Sequence, residues 1–226
     1  MIDSFSDFIY IADGALDPEF CKNVIEKFEK DDNKRQGIVA GGRPDTSIKD
    51  STDLYISGLP EWEEEDHVFY KSLKQHHEFY LNGKWSDTHS VFTGNISDKG
   101  YQIQRTRPGA GYIWHHDAVL DELDTMGVRF STYIWYLNDI YEDGYTEFID
   151  GTKVQPKTGR ICIFPATWTY MHRGYPPKDQ TKYIVTGWMH SKKNSMAYSS
   201  AAERLTVNQN VPGSIPGGPA GSLAQR

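Results

Sequence analysis

The stretch GYIWHHDAV, residues 111–119, reads as a buried strand of aromatic and β-branched residues interrupted by two histidines and an aspartate. Burying three polar groups there requires a partner that offsets their desolvation. Side chains alternate faces along a strand, so His115 and Asp117 share one side and His116 takes the other. His115-x-Asp117 is therefore the pair, two neighbouring ligands for an octahedral metal ion whose third ligand must come from a different strand.

Of the remaining histidines, His67, His76 and His77 fall in a predicted helix, His89 in a polar loop, and His190 at the end of the last strand. His172, at the end of TWTYMH, is the natural third ligand. Two histidines and a carboxylate form the facial triad of non-haem Fe(II) oxygenases, and this mixed nitrogen and oxygen set leaves three coordination positions open. A second oddity is Lys182 in KYIVTGW, a cation inside an otherwise apolar strand. An interior lysine needs an anion, and no acidic residue lies on that strand, so a bound carboxylate ligand is the economical partner. Thr186 and Trp188 share its face by alternation.

Outward from these residues, the chain from Tyr101 onward is a series of short strand-like runs: YQIQRTR, VRFSTYIWYLND, TEFI, KVQP, RICIFP, TWTYMH and KYIVTGWMH. Strands at such spacing indicate a sandwich or barrel. Upstream, after a short strand FIYIAD, two helices are expected. LDPEFCKNVIEKFEKDD has Asp17 at the N-cap and Pro18 at the first helical position, and PEWEEEDHVFYKSLKQHHEFYLNGKW opens with acidic residues that suit its dipole. The expected fold is mainly β, with helices packed outside an antiparallel core. Residues 1–190 are read as one domain, helical support over 1–100 and a β core over 101–190, followed by a Pro/Gly-rich, flexible tail over 191–226.

A net charge of −7 and a pI near 5.6 argue against nucleic acid or anionic membranes as partners. No apolar run approaches the roughly 20 residues that cross a bilayer. With only Cys21 and Cys162, both placed as small apolar residues, a reduced, cytoplasmic protein is expected.

The segments RPGAGYIWHHD, YIWYLND, DGYTEF, VQPKTGRICIFP and MHRGYPP…TKYIVTGW, in this order over residues 101–190, resemble the 2-oxoglutarate/Fe(II)-dependent dioxygenases, in particular the prolyl 4-hydroxylase-like branch. The resemblance implies a double-stranded β-helix, or jelly roll, with Fe(II) held by His115, Asp117 and His172. It implies 2-oxoglutarate as cosubstrate, chelating the metal and placing its distal carboxylate on Lys182, Tyr136 and Thr186, with Thr146 a further contact. Lysine at 182 is similar to collagen-type enzymes, whereas oxygen-sensing prolyl hydroxylases use arginine; the two differ because arginine binds a carboxylate bidentately and lysine as a point charge. Position 106, tyrosine in collagen-type enzymes, is Thr106 here, so a direct cosubstrate contact from that strand is not expected.

By the same resemblance, O2 and 2-oxoglutarate are consumed, succinate and CO2 released and a C–H bond hydroxylated, with ascorbate as the reductant. The implied substrate is a proline-containing peptide or protein, met by Tyr112, Arg129 and Trp188. The alternatives are a hydroxylase of a free amino acid or small metabolite, and a jelly-roll binding module without catalysis. GGRPDTSIKDSTDL (41–54) and AVLDELDTMG (118–127) are expected lids. The tail's VPGSIPGGPAG contains Pro-Gly pairs like those that collagen-type enzymes modify.

Overall fold

The computed structural model describes residues 2–6, 8–39, 42–83, 96–118 and 128–191. Most of the second expected lid and all of the expected tail beyond Ser191 lie outside these residues. In chain order the elements are β1 (Ile2–Ser6), β2 (Ile9–Ala12), α1 (Pro18–Lys30), β3 (Arg35–Gln36), β4 (Thr52–Tyr55), α2 (Glu63–Gly83), β5 (Ile96–Asp98), β6 (Gln102–Thr106), β7 (Tyr112–His115), β8 (Val128–Tyr136), β9 (Thr146–Phe148), β10 (Lys153–Val154), β11 (Arg160–Pro165), β12 (His172–Gly174) and β13 (Lys182–Ser191).

The helices form where the sequence predicts them. Asp17 caps α1, its carboxylate accepting from the backbone N–H of Glu19 (2.8 Å) and Phe20 (3.1 Å), and Cys21, Val24 and Phe28 make one buried face. Helix α2 starts with four acidic residues and buries Phe69, Leu73, His77 and Tyr80 along one side.

All strand pairs are antiparallel. The large sheet runs β1-β2-β11-β8-β13-β6-β4-β3, with β5 also pairing β13, and a small sheet runs β10-β9-β12-β7. Strict alternation along the central strands divides the interior in two. Tyr133 and Trp135 of β8, Ile161 and Ile163 of β11 and Val185 of β13 pack with Phe28, Phe69 and Leu73 of the helices. Ile134 and Tyr136 of β8 and Cys162 and Phe164 of β11 point the other way and pack with Phe148 and Val154 of the small sheet. The result is a two-sheet jelly roll, not closed into a barrel, whose large sheet carries helices on its outer face. Each fully buried Leu, Ile or Phe of these layers contributes on the order of 1.5–3 kcal/mol.

Two readings need correction. The first hundred residues are not helical support alone: they contribute five strands, β1 to β5, to the large sheet. And TWTYMH is not a strand ending at His172; the chain turns over 167–170 and His172 opens β12. Both cysteines are buried and free, as expected. Among the described residues no helix is long and apolar enough to cross a membrane.

Candidate active site

Strands β7 and β12 pair antiparallel with His115 directly opposite His172. Three residues of β12, His172 to Gly174, face four of β7, Tyr112 to His115, so β7 carries a bulge. A bulge re-aims side chains, and here it puts Tyr112 and His115, which simple alternation would separate, on one face, their rings stacked 3.5 Å apart at 14°. Asp117 follows β7 by two residues and closes the cluster: its Oδ1 is 3.8 Å from His115 Nε2 and its Oδ2 3.7 Å from His172 Nε2. The three ligand atoms lie within 4.8 Å of one another. These separations exceed hydrogen-bond length and leave room for an ion between the donors.

Both imidazoles are oriented by the chain itself. Nδ1 of His115 faces the Ile113 carbonyl oxygen at 2.8 Å, and Nδ1 of His172 faces that of Tyr170 at 3.0 Å. A carbonyl only accepts, so Nδ1 carries the proton and donates, and the Nε2 lone pair points into the cluster. Burial, with the adjacent His172, pushes the pKa of His115 well below its ordinary value and keeps it neutral. Burial pushes Asp117 the other way, but the two facing histidines and the Thr132 hydroxyl, which donates to Oδ2 at 2.7 Å, outweigh it and hold the carboxyl below the ordinary range. A neutral His115 and an ionised Asp117 are the ligand states a divalent cation takes.

The cluster opens on a narrow cleft of about 70 Å³. Of the residues expected from sequence, Tyr112, Thr146, Thr186 and Trp188 line it beside the His-Asp-His cluster. Lys182 is 4% exposed; its Nζ donates to the Gly144 carbonyl oxygen at 2.8 Å and stands 3.8 Å from where a Cβ on Gly174 would be. Among the described residues no carboxylate pairs with it, and burial lowers its pKa to about 8. Two expected contacts stand a layer back. The Tyr136 hydroxyl donates to Thr146 Oγ1 at 2.7 Å, and the Arg129 guanidinium lies 3.7 Å over the Trp188 ring. His116 is exposed and is not among the residues that line the cleft.

Sequence reasoning missed Thr132, Lys49 and Ser51. Thr132 shares the inward parity of Ile134 and Tyr136, a signal that was available. Lys49 and Ser51 come from the expected lid at 41–54, which is anchored at its centre: Ile113 N–H donates to Ile48 O at 3.0 Å and Asp50 N–H to Gly111 O at 2.9 Å. That docking makes it a wall of the cleft, with Lys49 paired to Asp53 at 2.6 Å and 5.7 Å from the Tyr112 ring. No local pattern encodes so long-range a contact. Thr106 lines the cleft with its smaller hydroxyl where collagen-type enzymes have tyrosine.

Comparison with known proteins agrees with this geometry. Residues 101–190 match the family model of the 2OG-Fe(II) oxygenase superfamily. A protein of Acanthamoeba polyphaga mimivirus named as a candidate prolyl 4-hydroxylase is 29% identical over 110 residues, which is 42% of this chain and 46% of that protein, so the match spans less than half of the relative. The viral collagen prolyl hydroxylase of Paramecium bursaria Chlorella virus-1, solved with 2-oxoglutarate, superposes with a TM-score of 0.61 at 21% identity over 83% of this chain and 98% of its own. A Trichoplax adhaerens prolyl hydroxylase, solved with a peptide fragment of the hypoxia inducible factor oxygen degradation domain, gives 0.67 at 18% identity over 82% and 84%. The matched segment thus contains the strands that build the cleft, and residues 101–190 are similar to the 2OG-Fe(II) oxygenase superfamily, with prolyl hydroxylases among the solved structures that share the fold.

Proposed function

We propose that the protein is a 2-oxoglutarate-dependent dioxygenase that hydroxylates proline within a peptide. The observation that carries this is the convergence of His115, Asp117 and His172 on a cleft behind whose Gly174 wall stands Lys182, a buried cation with no carboxylate partner among the described residues. The donor set fits Fe(II): two Nε2 lone pairs held in place by backbone carbonyls and one carboxylate, without thiolate. Bound iron, with 2-oxoglutarate and O2, supplies the oxidising chemistry, and succinate and CO2 are the co-products.

The chain's own residues bind and orient. Lys182 receives the distal carboxylate of 2-oxoglutarate, with the Thr146 hydroxyl as a donor beside it; Thr146 accepts from Tyr136, which leaves its own hydroxyl hydrogen free for the ligand, whereas the Thr186 hydroxyl already donates to the Tyr133 carbonyl oxygen at 2.9 Å. Tyr112 and Trp188 form flat walls suited to a pyrrolidine ring, and Arg129 braces Trp188 from behind. The solved relatives named for collagen and hypoxia inducible factor peptides favour a peptide substrate. A second reading, a free amino acid as substrate, draws on the buried Lys49–Asp53 pair, whose opposite charges match a zwitterion.

Incubation with Fe(II), 2-oxoglutarate and ascorbate, with succinate and substrate mass as readouts, separates the two. Pro-Gly-rich peptides are expected to raise succinate release and gain one oxygen. Turnover with free amino acids and none with peptides would favour the second reading, and absence of 2-oxoglutarate-dependent turnover with both would overturn the first.

A pH dependence follows from Lys182. Its charged form binds the carboxylate, and its pKa of about 8 in the ligand-free cleft means that the charge is present below pH 8 and lost above it. The Kd for 2-oxoglutarate, measured by equilibrium binding, is expected to be flat up to about pH 8 and then to rise, approaching tenfold per unit. A flat profile to pH 9.5 would remove Lys182 from the carboxylate site.

A further inference from the structure

We infer that Thr132 is a positioning residue that keeps Asp117 a one-oxygen ligand, and so keeps open a coordination position that a two-oxygen carboxylate would fill. The inference rests on the metal-centre reading above. Asp117 lies two residues beyond the end of β7, so no strand ladder fixes it. Its side chain is held instead from the large sheet: Thr132, 1% exposed on the central strand β8, donates its hydroxyl to Oδ2 at 2.7 Å. Oδ1 accepts no hydrogen bond among the described residues and is the oxygen nearer His115, at 3.8 Å. Arg129 steadies the same residue through its backbone, Nη1 donating to the Asp117 carbonyl oxygen at 3.3 Å.

The donor is rigid. Threonine has few χ1 choices, and β8 is hydrogen-bonded on both sides, by β11 and β13. Trp188 sits directly opposite Thr132 in the register, and its buried indole N–H is a second side-chain donor towards the same carboxylate, too loosely placed to count as a full hydrogen bond. A carboxylate with one oxygen engaged in this way is asymmetric. That asymmetry matters because two histidines and one carboxylate oxygen leave three positions, and a chelating 2-oxo acid with O2 uses all three. A second carboxylate oxygen would compete for one of them.

The test uses the full chain with Co(II) as a spectroscopic probe whose visible absorption reports coordination number. Thr132→Val keeps the shape and removes the donor. Its Co(II) absorption is expected to differ from wild type, with a weakened response to added 2-oxoglutarate and metal affinity changed by about 10- to 100-fold. Thr132→Ser, which restores the hydroxyl, is expected to recover the wild-type spectrum and response. A structural role alone would shift thermal stability without moving the Co(II) bands. Superimposable spectra for wild type and Thr132→Val, with and without 2-oxoglutarate, would overturn the inference. If Thr132→Val does not fold, Thr132→Ala carries the same comparison. A wild-type chain that binds no Co(II) would instead bring down the metal-centre reading itself, which separates the two failures.

Discussion

Alanine in place of His115 or His172 is expected to weaken Fe(II) binding by more than about 100-fold, beyond what loss of an outer hydrogen-bond partner costs, and to abolish iron-dependent turnover. Each substitution removes a pre-oriented imidazole whose Nδ1 is already committed to a backbone carbonyl. No other side chain among the described residues stands ready in its place, because the described metal-competent cluster has three members only. His116→Ala is the matched control. It deletes an imidazole one position away, exposed and outside the cleft lining, and Fe(II) affinity by equilibrium dialysis should stay within about twofold of wild type. Equal losses in His115→Ala and His116→Ala would show that alternation picked the wrong residue.

Lys182→Met is expected to act in opposite directions on stability and on binding. Without ligand, burial alone lowers the lysine pKa from 10.5 to about 8, equivalent to a cost of about 3 kcal/mol on the charged form. The unfolded chain holds that proton more tightly, so the cost is fully present below pH 8 and fades as pH rises towards 10.5. Methionine fills similar space without charge, so the ligand-free variant should melt higher than wild type at pH 7, by an amount that shrinks above pH 8. The Kd for 2-oxoglutarate should meanwhile rise on the order of 30-fold or more, the usual cost of removing one member of a buried charge pair. Thermal melts with and without 2-oxoglutarate measure both effects. A variant less stable than wild type at pH 7, or one with unchanged ligand affinity, would contradict the role assigned to Lys182.

The parts of the site legible in the sequence are those that sit on regular strands. Alternation grouped Lys182, Thr186 and Trp188 on β13, and the Asp17 cap and acidic first turns located α1 and α2; His115 and Asp117 do come together, but Asp117 lies beyond the end of β7, so alternation is not what joins them. The parts that were not legible depend on departures from regularity. The β7 bulge sets the orientation of Tyr112, yet a bulge shows itself only in the register with a partner strand. Lys49 reaches the cleft because residues 48–50 dock on β7, which no neighbouring residue announces. The turn over 167–170 looked like a strand because Thr, Trp and Tyr have high strand propensity; tertiary context overrode it. Strands β1, β3 and β5 are short edge or side additions; β1 and β3 pair with the next strand in the chain, whereas β5 pairs with the distant β13.

The central strands have two occupied faces, one turned to the chemistry and one to the helices, and this bears on where the chain can be cut. Residues 101–190 carry all the matched family motifs, but excised they would lose β4 from beside β6 and β2 from beside β11. Two rows of unpaired backbone N–H and C=O groups would be laid open. At the same time the faces bearing Tyr133, Trp135, Ile161, Ile163 and Val185 would be stripped of their cover. Open strand edges next to a wide apolar surface favour self-association over solubility. The unit that must be kept whole for expression or grafting is therefore larger than the unit that holds the ligands.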